Sequence, residues 1–338
     1  MDHGPWTKNT FNHKIFNIQQ SARSQLPEAR SNPPNPKTIL LITGTSGFLG
    51  TNLVNYLKDY QINSLQRGEF DKPIAPEVAA VIHLAGKAHD VKNTSGAEAY
   101  FEVNTQLSIQ LFERFLQSNA ERFIFISSVK AAADRVHGVL TEDMPCAPET
   151  PYGQSKYQAE LALEKLLGAH RAQHPQADKQ LYILRPCMIH GPGNKGNLNL
   201  LYQMIAKGIP YPLGAFENQR SFLSVENICF VIKEILDRPI APGTYQVADN
   251  LPLSTNELIA LMAQAMGKKA NIWNINPAFI NALAKLGNIL HLPLNTSRLQ
   301  KLTESYVVSN TKLITALGKP LPVESKQGLL KTVLSFRF

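Results

Sequence analysis

The chain has 338 residues, 43% hydrophobic and 18% charged, which supplies a sizeable core and excludes wholesale disorder. No apolar run reaches the ~18 residues of a membrane span and no basic-then-apolar leader opens it, so a cytoplasmic protein without integral membrane association is expected. The net charge of +8 is uneven: +2 falls on residues 1–36 and +7 on 251–338, leaving −1 between them, without the dense basic block that a nucleic-acid binder needs.

Residues 1–36 mix Asn, Gln, Ser and Pro and end in Pro33-Pro34-Asn35-Pro36. They read as a flexible extension, since each X-Pro pair disfavours helix. From Lys37 the pattern alternates. A buried strand is expected over 38–43, a helix over 48–58, a second buried strand over 78–84, a helix over 98–118 and a strand over 122–126. A long helix over 151–167 and a strand over 181–184 follow. After Arg185-Pro186 loops prevail, then a helix over 225–236 and a strand over 244–247 return. The remainder is helical, and its apolar stretch 277–290 reads as a core-packing helix rather than a membrane-surface one. Strands alternating with helices predict a doubly wound parallel α/β sheet of Rossmann type with a smaller, mainly helical substrate-binding part. The dinucleotide-binding domain would span 37–186 plus about 223–250, and the substrate-binding domain 187–222 and 251–338. Three cysteines (Cys146, Cys187, Cys229) show neither CxxC nor Cys/His metal spacing, so reduced thiols and no metal site are expected.

Chemistry concentrates at three places. Gly44, Gly47 and Gly50, in Gly44-Thr45-Ser46-Gly47-Phe48-Leu49-Gly50, join the first strand to the first helix as a variant dinucleotide fingerprint. Backbone N–H groups at such a helix start attract a pyrophosphate, and glycine lets it approach. Tyr152 and Lys156 are four apart behind Thr150-Pro151, a cap and first-turn pair, so they share one helical face. An ammonium near a phenol favours the phenolate and makes proton transfer at a substrate oxygen feasible. Ser127-Ser128 ends the strand over 122–126, at the carboxyl edge where sites form in such sheets.

The chain resembles the extended short-chain dehydrogenase/reductases, in the NAD-dependent epimerase/dehydratase group that acts on nucleotide sugars. The resemblance covers about residues 38–335. It rests on the glycine turn, His83-Leu84-Ala85-Gly86, Asn104, Ser127-Ser128, Tyr152 with Lys156, Arg185-Pro186 and Gly191-Pro192-Gly193, in that order. Two stretches, Ser127 to Lys130 and Gly191 to Asn197, are most similar to nucleotide-sugar 4-epimerases and 4-ketoreductases. The resemblance implies Tyr152 as acid/base, Ser128 on the reacting oxygen, Lys156 on the nicotinamide ribose and Asn104 supporting the site. It implies cofactor contacts from Gly44, Ser46, Gly47, Phe48, Leu49, Gly50, Leu84, Ala85, Gly86, Tyr152, Lys156 and Pro186. Asn197, Arg220 and, more weakly, Arg298 would meet the substrate diphosphate. A UDP-sugar 4-epimerase is the leading reading and an NAD(P)H-dependent 4-ketoreductase of a UDP-4-keto-6-deoxy sugar the alternative. A non-catalytic dinucleotide-binding regulator ranks lower, because it has no need of the proton-transfer residues. The family also leaves a homodimer open.

The departures from the family matter as much. Only 13 residues separate Arg67 from Val81, too few for a helix and a strand, so the second helix and third strand should be shortened or absent. The strand over 62–66 lacks the acidic end residue that holds an NAD ribose, while Arg67 suits a 2′-phosphate. The choice between NAD and NADP stays open, leaning to NADP. Val129 and Lys130 stand where related dehydratases carry Asp-Glu, which disfavours dehydration. His190, at a place where the family often has Tyr, reads as a packed or solvated side chain.

Overall fold

The computed structural model describes residues 38–87, 96–194, 197–290 and 295–336. The extension expected over 1–36 lies outside the described residues.

Strand β1 (Ile39–Thr43) leads through the glycine turn into α1 (Phe48–Tyr56), and β2 (Gln61–Leu65) pairs parallel to β1. Only a 3-10 turn, Arg67–Glu69, and loop separate β2 from β3 (Val78–His83), which pairs with β1 on its other side. The expected second helix is thus one turn, the third strand is absent between β2 and β3, and β2 is the sheet edge among the described residues. Helix α2 (Glu98–Phe101) passes through a π-helical stretch, Glu102–Gln106, into α3 (Leu107–Leu116). Then come β4 (Arg122–Ile126), the short β5 (Val139–Leu140), α4 (Pro151–Gln173) and β6 (Gln180–Pro186). Past β6 follow β7 (Met188–His190), α5 (Asn197–Ala206), β8 (Phe222–Ser224), α6 (Val225–Asp237) and β9 (Gly243–Val247), and β9 returns to the main sheet. The sheet order β2-β1-β3-β4-β6-β9 is parallel throughout.

Side-chain alternation explains why the sheet is covered on both faces. Leu40, Ile42, Ile82, Ile124, Tyr182 and Leu184 point to one side, where α1 and α6 bury Leu53, Ile228 and Ile232. Leu41, Val81, Phe123, Phe125, Leu181 and Ile183 point to the other, against Phe112 and Phe115 of α3 and Leu163 of α4. Residues after β9 form α7 (Thr255–Ala265), α8 (Pro277–Ile289), α9 (Thr296–Thr303), β10 (Val307–Val308), α10 (Thr311–Leu317) and α11 (Ser325–Ser335). Parts of α5, α7, α8, α9 and α11 close a second core around Leu258, Met262, Ile280 and Leu329. Leu313, Leu317 and Leu321 instead pack on the main sheet, so the C-terminal third serves both cores.

One expectation holds only in part. The apolar stretch 277–290 is a helix that packs on the second core, but along one stripe: α8 buries Ile280, Ala284 and Gly287, while Phe279, Leu283, Leu286, Ile289 and, just past its end, Leu290 are exposed. The neighbouring elements occupy a single narrow stripe of it, which periodicity alone does not reveal.

Helix α4 runs six residues past its expected end, and its exposed Gly168 has open space where a side chain would project. Ala is worth ~0.8–1 kcal/mol over Gly at an exposed helical position. Gly168→Ala is therefore expected to stabilise the fold by about that much, read as a raised urea midpoint with unchanged slope.

Candidate active site

Thr150 accepts a hydrogen bond from the Gly153 N–H at 3.2 Å and Pro151 takes the first helical position, so α4 starts where its sequence says it should. Its first turn lies hard against the segment after β4: a Cβ on Gly153 would stand 2.4 Å from the Lys130 carbonyl oxygen. Glycine between Tyr152 and Lys156 is what permits this approach, and it sets Tyr152 beside Ser128. The Ser128 hydroxyl hydrogen-bonds the phenol and draws its pKa down, but burial pushes it up more strongly and Tyr100 adds to the rise. The net shift is upward. This corrects the expectation that Lys156 lowers it: the ammonium of Lys156 instead donates to the Ile126 carbonyl at 2.9 Å and lies 4.9 Å from the centroid of the Phe125 ring.

Lys156 is buried, and burial lowers its pKa to about 8 against an opposing pull from Glu160. An unfolded lysine titrates near ~10.4. The folded state thus binds fewer protons between these values, and this group's cost to stability is full below about pH 8 and fades as pH rises towards ~10.4. The Tm difference between Lys156→Met and the wild type should accordingly shift in favour of the wild type over that window. A flat difference would mean that the ammonium is not desolvated.

Asn104 sits in the π-helical stretch, fully buried. Its Oδ1 accepts from the Lys87 N–H at 2.7 Å and its Nδ2 donates to the Lys87 carbonyl at 3.1 Å and to Ser155 Oγ at 3.0 Å. It thereby ties the loop after β3 to α4. The π stretch is a common device for aiming such a side chain. His83, which carried no role in the sequence reading, forms a second tie. Ser108 Oγ donates to the Asn104 carbonyl (2.7 Å), so it accepts from His83 Nε2 at 2.9 Å. Nδ1 then accepts from the Thr43 hydroxyl at 2.7 Å, and Thr43 Oγ1 accepts the Ala85 N–H at 3.1 Å. Burial, reinforced by the charge of Lys156, lowers the His83 pKa to about 3, so the ring stays neutral. Ser127, Glu160 and Arg185 form a third buried group, with Arg185 Nε donating to Glu160 at 3.0 Å.

The nicotinamide dinucleotide that the resemblance implies fits the glycine turn. Gly44 has φ +74° and Gly50 packs so closely that a Cβ would come 2.1 Å from the Gly44 carbonyl oxygen. Helix α1 has no side-chain cap, which leaves its leading N–H groups to whatever lies above Ser46 and Gly47, both exposed. Phe48 and Leu49 are half-buried in the same turn, and Leu84 and Ala85, which follow β3 and precede Gly86, pack against Gly44. A Cβ on Gly86 would come 3.0 Å from Lys156 Nζ and 3.1 Å from Asn104 Oδ1, so a side chain there would crowd both.

A cleft of about 700 Å³ is lined by Ser128, Tyr152, Pro186, Arg220 and Lys301, among others. Isolated bridges to Leu253 and Tyr306 hold the Arg220 backbone, and its guanidinium donates to the Glu304 carbonyl (3.3 Å) and to that of Lys301. Lys130, whose pKa burial lowers, lies 4.4 Å from the centroid of the Tyr306 ring on the same wall.

The sequence model of the NAD dependent epimerase/dehydratase family matches residues 40–248, more than half of the chain, from the second residue of β1 to just past the end of β9. The chain belongs to this family. Among the relatives of this epimerase/dehydratase, a UDP-glucose 4-epimerase of Vibrio cholerae is 31% identical over 89% of the chain and 96% of the relative. An N-acetyl-α-D-glucosaminyl-diphospho-ditrans,octacis-undecaprenol 4-epimerase of Escherichia coli O157:H7 is 30% identical over 68% of the chain and 73% of the relative. The fold is similar to that of a UDP-glucuronic acid 4-epimerase from Bacillus cereus in complex with NAD, at TM-score 0.65, 17% identity, and 89% and 99% coverage.

The epimerase/dehydratase fold brings Ser128, Tyr152, Lys156 and Asn104 to one end of the sheet and puts Arg220 in the lining of the cleft that Ser128 and Tyr152 share. Arg298 is exposed at the start of α9 and outside the cleft lining, although its neighbours Ser297 and Lys301 belong to it. Arg67 opens the turn after β2 and Asn197 opens α5; only their backbone positions are described. His190 is packed, as one of the two readings had it: it is fully buried, with Nδ1 2.9 Å from Thr332 Oγ1. The sequence reading missed Lys301 and Tyr306, which reach the cleft only through the return of the C-terminal helices and carry no local signal.

Proposed function

We propose that the protein is a nucleotide-sugar 4-epimerase acting on a UDP-hexose or UDP-N-acetylhexosamine on the cytoplasmic side of the cell. One observation carries the reading: a phenol hydrogen-bonded to a serine hydroxyl lines the same cleft as Arg220 and Lys301. Tyr152 exchanges the proton on the C4 oxygen, and Ser128 holds that oxygen in line with it. Arg220 and Lys301 fit a diphosphate, since a guanidinium fork matches its oxygens and an ammonium adds charge. Asn104 and Gly86 keep the loop after β3 low enough for a dinucleotide, with Lys156 against its ribose. The glycine turn, Phe48, Leu49 and Pro186 complete that seat. A bound nicotinamide supplies hydride transfer at the sugar C4. Dehydration lacks support, because the position after Ser128 holds the buried, apolar Val129 and the next holds Lys130 in place of carboxylates.

A second reading, an NAD(P)H-dependent 4-ketoreductase, has its own observation. The raised Tyr152 pKa keeps the phenol protonated, which suits protonation of a ketone oxygen. The absence of an acidic residue at the end of β2, with Arg67 two residues beyond it, favours NADP. NMR of UDP-sugars incubated with the protein separates the two. Conversion at C4 without added reductant supports the epimerase; stoichiometric oxidation of NADPH with a 4-keto sugar supports the reductase, and neither reaction with any UDP-sugar overturns both.

A further inference from the structure

Helix α8 carries a broad apolar arc on its outer side. At 100° per residue, Phe279, Leu283, Leu286 and Leu290 fall within about 60° of one another, and Ile289 extends the arc. All five are exposed, Phe279 at 58% and Ile289 at 73%, while the helix is held to the second core by Ile280, Ala284 and Gly287 on another face. A soluble helix normally turns such an arc inward. The stretch of sequence that contains it is basic: from Leu258 to Thr303 the chain has Lys268, Lys269, Lys285, Arg298 and Lys301 and not one acidic residue. Lys285 borders the arc on the helix itself, where a long stem lets an ammonium reach a charged surface while the apolar residues sink.

We propose that α8, with Lys285 at the border of its apolar arc, seats the protein on an anionic lipid bilayer, with the apolar arc in the headgroup layer. An amphipathic helix lying in the interface has this combination of an apolar arc and cations without anions. Among the described residues no helix is long and apolar enough to cross a membrane, so the attachment is peripheral. A second copy is the less suitable occupant: pairing α8 with itself would bring like charges together with no carboxylate in the stretch to offset them. The seat is also coupled to the cleft. Asn288 of α8 donates to Thr296 Oγ1 at 3.0 Å and accepts its N–H at 3.2 Å, and α9 then lines the cleft with Ser297, Gln300 and Lys301. The surface that meets lipid is thus one helix away from the residues placed around the substrate diphosphate.

Sedimentation of the full-length protein with vesicles tests this. Vesicles containing phosphatidylglycerol should carry the protein down at low salt and release it at high salt, while pure phosphatidylcholine should not. The double variant Phe279→Ser/Leu286→Ser should bind anionic vesicles at least about tenfold more weakly, and Lys285→Glu should lose the preference for anionic lipid. Both variants change exposed side chains, so their Tm and their turnover of a water-borne UDP-sugar should match the wild type. Three outcomes overturn the proposal: no cosedimentation of the wild type, equal binding by the double variant, or a wild-type dimer that the double variant turns into a monomer. None of them depends on which C4 reaction the cleft performs, so the lipid result and the activity result fail separately.

Discussion

Replacing Tyr152 by phenylalanine is expected to lower turnover by roughly 10² or more, because a positioned general acid or base contributes about that factor. The change removes one oxygen from a half-buried ring that stays wedged against Tyr100, with ring centroids 6.3 Å apart, so the fold and the glycine turn are untouched. Cofactor affinity should therefore stay close to that of the wild type when read by quenching of protein fluorescence. That split distinguishes a proton-transfer role from a structural one. A variant that keeps its turnover would remove Tyr152 from the chemistry, whereas one that loses turnover and affinity together would mean that the phenol holds the seat rather than the proton.

The second large effect falls on the turn. Gly50→Ala places a methyl 2.1 Å from the Gly44 carbonyl oxygen and 2.6 Å from the Thr45 Cα, both backbone atoms that no side-chain rotation can clear. The turn must open. Overpacking of this kind costs ~1–3 kcal/mol and sometimes more, and the displaced atoms are those that face the pyrophosphate seat. The expected result is a folded protein with a lowered Tm and no saturable binding of NAD or NADP, measured by titration calorimetry. Gly168→Ala changes the same residue type with the opposite sign of stability, which makes it the matching control. Undiminished nucleotide binding by Gly50→Ala would move the dinucleotide away from the β1–α1 turn.

Much of this was legible in the order of residues because it is local. The run from Ile39 to Gly50 states a buried strand, a turn and a helix in twelve residues, and Thr150 to Lys156 states a cap, a helix start and one face that carries both Tyr152 and Lys156. The shortened crossover was legible by arithmetic on chain length. What stayed hidden depends on partners far away in sequence. The ring of His83 binds Thr43 and Ser108, and Lys301 and Tyr306 reach the cleft from the far end of the chain. The shift of Tyr152 also depends on distant burial: a neighbour four residues away predicts attraction, but the cost of desolvation is set by everything packed around the ring. Helix α8 shows the same limit in another form. Its 3.6-residue rhythm tells which residues share a side, not whether any element covers that side.

The loss of the crossover after β2 also has a consequence for the molecule in a crowded solution. A sheet that stops at β2 presents one row of peptide groups with no neighbouring strand among the described residues, a template on which a foreign strand can add. Here the row is only five residues long, with Gln61 and Ser64 facing water, and the hydroxyl of Ser64 is engaged by Thr45 at 2.6 Å. Brevity and polarity at that border do the protective work a longer relative could leave to an additional strand, so residues 61–65 are where apolar substitutions would first be felt as self-association rather than as lost activity.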